Sequence, residues 1–479
     1  MNRVLGFSEG FHDAAVTILD KNEIVFAAHD ERFSKNKNSK SICNTFKDYI
    51  ADNYQWDRVA FYERPWMKKL RHLKQMRFDH VFQRRQLAYQ YDNCYNHHLS
   101  HAAAAFQCSP YETATALIVD AIGEFDTISQ WKCWYETGAL GKKEARYKKI
   151  SSIKFPTSIG LFYSAITDRV GLKPMEDEYI LMGMAAYGKK NDILYHQMRK
   201  LLRENLEKGC RDFAPHASNE DLAYSAQLFT ERLLKGIINS IDAPIVYGGG
   251  VAHNVVANRK IFGNKSHWIF PNPGDAGSSL GAAALTTKRK INFRHCFTGK
   301  NAGELPNPRE VVDHLLEHGV AGVCAGRAEF GPRALGNRSL LADPRDPKSK
   351  DKVNEIKKRQ KFRPFAPSVL SEYVDTYFAT APNETYEYMQ YAIPCINKHY
   401  IPSVVHQDGT SRVHSVSPES AKYSPLRDIL ELWHKKTGCP ILLNTSLNIK
   451  GMPMVNDLAD SKMFEEKYNV RVFNGRCKN

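Results

Sequence analysis

Ala116-Leu117-Ile118-Val119-Asp120-Ala121-Ile122-Gly123 reads as a short buried strand that runs out onto an acid and a glycine turn. Four successive apolar residues suit a strand covered on both faces. A partner strand is expected from Thr127 to Tyr135. The chain opens on the same pattern. Val4-Leu5-Gly6, Ala15-Val16-Thr17-Ile18-Leu19 and Ile24-Val25-Phe26-Ala27-Ala28 read as three strands, with Asp20-Lys21-Asn22-Glu23 as the polar turn between the last two. Helical segments separate the two meanders.

A strand, a glycine turn, two more strands and helices, occurring twice, is the signature of a duplicated actin-like ATPase (ASKHA) architecture of the α/β class. In that fold, strand-end loops of two related lobes hold a nucleotide or metal. Two strand-loop-helix units extend the pattern. Pro244-Ile245-Val246-Tyr247 leads into Gly248-Gly249-Gly250 and a helix near His253, and Trp268-Ile269-Phe270 leads through Pro271-Asn272-Pro273-Gly274-Asp275 into a small-residue helix from Gly277. Such loops aim backbone N–H groups at one ligand. The basic stretch Thr286 to Pro308 reads as a linker, and a new α/β pattern begins at Val323-Cys324-Ala325. The expected division is 1–300 and 301–479.

Composition narrows the class. With 479 residues, 42% hydrophobic and 25% charged, the chain has the make-up of a globular protein too long for one core. No apolar run reaches the length of a membrane span, and MNRVLGFSEG lacks a signal-peptide pattern, so the expectation is a cytoplasmic protein without a membrane partner. Ten cysteines without a C-x-x-C pair argue against a zinc ribbon or disulfide framework. The net charge of +15 is concentrated at Arg64, Lys68, Lys69, Arg71, Lys74, Arg77, Arg84 and Arg85. With Trp66, Phe78 and Phe82 this segment reads as an amphipathic helical pair with a basic outer face, either a solvated surface or a polyanion contact.

His97-His98-Leu99-Ser100-His101 begins an alanine-rich helical segment, which puts His97 and His101 on one face at i and i+4. Two imidazoles so placed can ligate one divalent metal, and Asp120 and Asp275, at a strand end and in a loop, are candidates to join them. Each residue alone also reads as an ordinary core or turn residue. His98 points elsewhere and is a candidate substrate or supporting contact.

Blocks along almost the whole chain carry a family resemblance. They are His12-Asp13-Ala14-Ala15, Asp30-Glu31-Arg32-Phe33-Ser34-Lys35, His97 to Ala102, Val119 to Glu124, Met182 to Gly188, Gly249 to Asn254 and Asn272 to Gly277. In the second half they are Gly326-Arg327, Glu329 to Ser339, Asp343-Pro344-Arg345, Phe362 to Pro367 and Asn444 to Asn448. The set resembles the O-carbamoyltransferases that tailor antibiotics and nodulation factors. Departures from the family pattern stand at Ile180, Gln360 and Leu447, where relatives have Lys, Glu and Phe.

The resemblance implies an N-terminal threonylcarbamoyltransferase-like domain and a C-terminal YrdC-like domain. The latter would make carbamoyl-adenylate from carbamoyl phosphate and ATP with Mg(II). The former, with a metal held by His97, His101, Asp120 and Asp275, would pass the carbamoyl group to a hydroxyl. Fe(II) is favoured, with Mn(II) or Zn(II) as alternatives. His12, Lys37 and His98 are the catalytic candidates, and Gly248, Gly249, Gly250 and Asn254 the nucleotide contacts. Arg327, Arg333, Arg338, Arg345, Lys358, Arg359, Arg363, Asn444, Ser446 and Asn448 are the candidates for phosphate and carbamate in the second domain, about half of the arginines being expected to form plain salt bridges. The acceptor is open between a hydroxymethylated pyrimidine of DNA or a nucleotide and a sugar or nucleoside hydroxyl of a small molecule. Transfer of threonylcarbamoyl to tRNA is a further alternative, and a homodimer is compatible with the sequence.

Overall fold

The computed structural model describes residues 3–79, 86–138, 141–360 and 362–475. The chain divides into two compact units, Met1–Ser34 with Asn38–Arg294, and Lys35–Lys37 with His295–Asn479.

Two five-stranded sheets in the first unit follow one plan. In one, β1 (Arg3–Ser8), β2 (Ala15–Asp20) and β3 (Glu23–His29) form an antiparallel meander, and β4 (Arg58–Phe61) and β5 (Asn93–Cys94) add parallel strands beside β1. In the other, β6 (Thr113–Gly123), β7 (Asp126–Thr137) and β8 (Lys143–Lys154) form the meander, and β9 (Ile245–Gly248) and β10 (His267–Ile269) add parallel strands beside β6. The orders β3-β2-β1-β4-β5 and β8-β7-β6-β9-β10 match strand for strand. The duplicated actin-like α/β plan is therefore present.

Two helices join the sheets. The helix His97–Cys108 starts on Asn96, whose side chain accepts the Leu99 N–H at 3.0 Å, and its alanines 102–105 are buried. It packs on the helix Ser278–Thr287. A Cβ on Gly281 would stand 1.8 Å from the Ser100 carbonyl oxygen, so only glycine permits this approach. Thr17 Oγ1 and Ser279 Oγ, 2.8 Å apart, tie the second helix to β2.

The second unit is built on a mixed six-stranded sheet. β11 (Phe297–Asn301) pairs with β13 (Arg327–Glu329), outside it. The sheet itself runs β18 (His414–Val416), β15 (Ala366–Leu370), β19 (Ile441–Ser446), β14 (Arg338–Ala342), β12 (Val320–Cys324) and β20 (Val472–Phe473). β16 (Ala392–Pro394) and β17 (Thr410–Arg412) form a separate ribbon.

Two expectations are corrected here, and one strand carries no sequence signal. The stretch 286–308 is not a bare linker, because β11 lies within it and is paired over Phe297 to Asn301. β8 was not read from the sequence at all. It is an edge strand whose lysines face solvent, so no apolar alternation marks it. The basic segment is an outer face only in part. Arg64 reaches Glu124 at 2.5 Å, Lys68 reaches Glu63 at 3.0 Å, Arg77 reaches Glu207 at 3.0 Å, and buried Arg71 donates to the Glu124 carbonyl at 2.8 Å. Trp66, Leu70, Leu73 and Phe78 are exposed instead. Inward acids draw in these four cations, while Lys69 and Lys74 stay exposed beside the apolar side chains. Phe82, Arg84 and Arg85 lie outside the described residues.

Candidate active site

Four buried side chains meet in the first unit. The helix His97–Cys108 brings His97 and His101 to one face, and their Nε2 atoms stand 3.2 Å apart. Asp120 comes from β6, where the ladder to β7 is irregular between Val119 and Gly123, which frees the carboxylate from the regular pleat. Its Oδ1 accepts the N–H groups of Ala121 at 2.8 Å and Gly250 at 3.3 Å. Its Oδ2 lies 3.1 Å from His97 Nε2 and 3.3 Å from His101 Nε2. Asp275, at the start of the turn before the helix Ser278–Thr287, places Oδ1 3.4 Å from His97 Nε2 and 3.3 Å from His101 Nε2.

The set fits a divalent cation. Its four ligand atoms lie within 4.8 Å of one another, and all four residues are buried. Nitrogen and oxygen donors about 2.1 Å from a central ion stand about 3.0–3.4 Å apart, which is the spacing between imidazole and carboxylate here. Electrostatics agrees. Burial opposes charge on every member, yet the mutual pairing holds both carboxyls well below the ordinary range and raises both imidazoles. Protons on the imidazoles balance the two carboxylates when no ion is present, and a divalent cation would take over that role on binding.

Around this cluster, His12 is half-buried in the loop between β1 and β2. Its Nδ1 is 2.8 Å from Asp13 Oδ2. Burial lowers its basicity, but the hydrogen bond to Asp13 and the fields of Asp275 and Asp120 overcome this and raise its pKa to about 9. The structure thus brings His12 into the field of Asp275 and Asp120. His98 does not join them. It is fully buried with Nδ1 2.7 Å from Ser129 Oγ, which also accepts the Trp131 indole N–H at 2.9 Å. Burial, then the neighbouring His97, holds it neutral.

The glycine loop lies against the same centre. Gly248 ends β9, Gly249 takes the left-handed region at φ 89°, and its N–H donates to the Pro273 carbonyl at 2.9 Å, which ties this loop to the one carrying Asp275. Asn254 is fully engaged elsewhere. Its Oδ1 caps the next helix through the Ala257 N–H at 2.9 Å, and its amide exchanges hydrogen bonds with Gln227.

In the second unit the candidate residues separate into two sets. Arg338 is fully buried and donates to the carbonyls of Ala325, Gly326, Asn337, Lys300 and Asn456. Arg345 forks onto Asp343 at 2.7 Å, and Arg327 donates to the carbonyls of Gly299 and Thr298. Asn444 donates to the Ala334 carbonyl and Ser368. Each of these side chains is engaged within the chain itself. Lys358 is exposed at a helix end, in the left-handed conformation.

The buried cation is its neighbour Lys357, which sequence reading passed over. Its ammonium donates to Ser446 O at 2.6 Å and to Asn448 Oδ1, while Ser446 Oγ donates to Asn448 Oδ1 at 2.8 Å. Burial, then Arg359, Arg363 and Lys37, push Lys357 well below the usual lysine range. Arg412, also passed over, is depressed by burial and then by Arg333, Arg359 and Arg363. A guanidinium keeps its proton across the accessible pH range, so crowding of this kind favours a bound anion. Glu63 was missed as well; its Oε2 lies 3.9 Å from His97 Nδ1. It follows β4 as Asp120 follows the core of β6, and that parallel was the available signal.

Comparison with known proteins follows the same division. Sequence models of the carbamoyltransferase N-terminus and the carbamoyltransferase C-terminus match residues 62–284 and 312–474. Nodulation protein NolO of Bradyrhizobium diazoefficiens is 30% identical over 426 residues, which cover 76% of this chain and 75% of that protein. An uncharacterized protein of Synechocystis sp. is 29% identical over 95% of this chain and 92% of its own length. Among solved structures, component A of (R)-2-hydroxyglutaryl-CoA dehydratase from Acidaminococcus fermentans covers 60% of this chain and 98% of its own, with 13% identity and a TM-score of 0.36. A structural likeness that weak says nothing about ligand or activity. The two sequence models, falling one on each unit, and the match to NolO settle the family: the chain belongs to the carbamoyltransferases.

Proposed function

We propose that this carbamoyltransferase activates its carbamoyl group as carbamoyl-adenylate, from carbamoyl phosphate and ATP with Mg(II), and delivers it to the hydroxyl of a small molecule. The observation that carries the reading is the convergence of Lys357, Arg412, Arg333, Arg359 and Arg363 in the second unit. Carbamoyl phosphate and ATP are both multiply charged anions, and arginine forks match phosphate oxygens. Lys37 belongs to this cluster, since its charge weighs on Lys357. Ser446 and Asn448, held by Lys357, orient the carbamate. Carbamoyl phosphate yields phosphate and carbamate by hydrolysis. The carbamate oxygen then displaces pyrophosphate from the α-phosphorus of ATP.

Transfer belongs to the first unit. His97, His101, Asp120 and Asp275 would hold the divalent cation, Fe(II) before Mn(II) or Zn(II). When bound, the cation supplies Lewis acidity that offsets the negative charge of departing AMP. His12, kept as imidazolium by Asp13, binds the phosphoryl oxygens and opposes charge on that leaving group. The backbone of Gly248 to Gly250 allows a nucleotide to approach closely. The acceptor oxygen attacks the carbamoyl carbon, its proton leaves to solvent or base, and the bond to the AMP oxygen breaks.

Arg64, Lys68, Arg71 and Arg77 have partners within the chain, which weakens the case for this segment as a DNA contact, while Lys69 and Lys74 stay exposed. The test is release of pyrophosphate and phosphate from ATP and carbamoyl phosphate, with mass spectrometry of sugars, nucleosides and hydroxymethylated DNA. Pyrophosphate release that needs threonine would overturn the activation step. A carbamoyl group found on DNA alone would overturn the small-molecule acceptor.

A further inference from the structure

We propose that Glu63 is a positioning residue for the metal centre: it accepts a hydrogen bond from the Nδ1–H of His97 and, with Lys68 behind it, sets how tightly the four donors hold a divalent cation. The inference rests on the metal reading given above. His97 turns Nε2 toward Asp120 at 3.1 Å and Asp275 at 3.4 Å, so Nε2 is its ligand atom. A neutral imidazole that ligates through Nε2 carries its proton on Nδ1. That Nδ1 is buried and has no hydrogen-bond partner. The carboxylate facing it is Glu63, with Oε2 at 3.9 Å.

A shift of about 1 Å in ring or carboxylate brings this pair to hydrogen-bonding distance. Glu63 is itself buried, 4% exposed, so its charge needs compensation. Lys68 provides it, with Nζ 3.0 Å from Oε1 and 3.3 Å from Oε2. The Tyr62 ring packs against the His97 ring at 5.1 Å between centroids, which limits other orientations of the imidazole. The arrangement is a carboxylate–histidine–metal relay. A carboxylate that accepts the distal proton fixes the tautomer and makes the ligand nitrogen a better donor. The alternative is a plain buried ion pair that anchors the helix Pro65–Lys74.

The experiment measures Zn(II) affinity by chelator competition on the full chain, with His97→Ala defining the signal of this site, alongside melting of the metal-free protein. Glu63→Ala is expected to weaken Zn(II) binding by about 10–100-fold, and Glu63→Gln, which keeps an acceptor without its charge, by less. The double change Glu63→Leu with Lys68→Met preserves bulk without stranding a half-buried lysine, and it is expected to weaken binding as Glu63→Ala does. Wild-type affinity equal to that of His97→Ala would remove the metal reading and this one with it. Wild-type binding lost in His97→Ala but unchanged within twofold in the three Glu63 variants would overturn the Glu63 role alone. The same holds for a fall in metal-free melting temperature with affinity unchanged, the mark of a plain structural pair.

Discussion

His97 Nε2 and Asp120 Oδ2 lie 3.1 Å apart although one side chain comes from a helix and the other from the strand it covers. The same Nε2 lies 3.2 Å from that of His101, so two imidazoles and a carboxylate are held at ligand spacing before any ion is considered. That pre-arrangement has a cost in charge, and the cost can be measured.

Without a metal, the two carboxylates raise both His97 and His101, which favours protons on their rings. Binding a cation must expel them. We expect proton release on Zn(II) or Mn(II) binding at pH 7, read as a dependence of calorimetric enthalpy on the ionisation enthalpy of the buffer. Affinity should fall as pH drops, because protons then compete. Binding without proton release at pH 7 would contradict the charge state described here.

His12 offers a second titration. Its pKa near 9 exceeds the 6.5 of an unstructured histidine, so its contribution to stability is complete below pH 6.5 and is lost as pH rises through 9. Imidazole resonances of the metal-free protein should place its midpoint above 8. Asp13→Asn should bring it down, since the hydrogen bond from His12 is the largest of the raising effects. Metal loading should lower it too, by cancelling the fields of Asp275 and Asp120. A midpoint near 6.5 in the metal-free protein would refute the imidazolium role.

Much of this was legible in the sequence because it is local. The i, i+4 spacing of His97 and His101 fixes their common face once a helix forms, and the apolar run 116–119 marks the regular part of a strand whose ladder turns irregular at Asp120. The first meander was legible because β1, β2 and β3 are nearly continuous buried runs. β8 was not, since only one side of an edge strand needs apolar residues and Lys148 and Lys149 face solvent. The choice between Lys357 and Lys358 turns on helix phase at a terminus, where Lys358 already leaves the helix. The role of Arg338 depends on carbonyls as distant in sequence as Lys300 and Asn456, a relation that no local pattern encodes.

The two kinds of arginine should separate in experiment. Arg338→Met strips hydrogen bonds from buried carbonyls and should destabilise by about 3 kcal/mol or more, seen as a lower denaturant midpoint. Arg412→Met removes one of several crowded cations, so stability should hold or rise while carbamoyl phosphate-dependent pyrophosphate release falls at least about tenfold, a loss of about 1.4 kcal/mol. Equal losses of stability in both would show that Arg412 is also structural.

Helix packing and the metal site should fail together at Gly281. An added methyl would stand 1.8 Å from the Ser100 carbonyl oxygen, and backbone cannot rotate aside as a side chain can. The helix Ser278–Thr287 must therefore shift away from the helix His97–Cys108, at a cost of about 1–3 kcal/mol for overpacking. Because Asp275 leads into the first of these helices and His97 and His101 sit on the second, the shift opens the donor set along with the packing. Gly281→Ala is expected to lower the melting temperature and to weaken Zn(II) binding in the same protein. Gly263→Ala, at a left-handed position with open space around it, should cost stability through its backbone alone and leave metal affinity unchanged. If Gly281→Ala destabilised the chain but bound Zn(II) as tightly as wild type, the close approach of the two helices would not be what sets the ligand spacing.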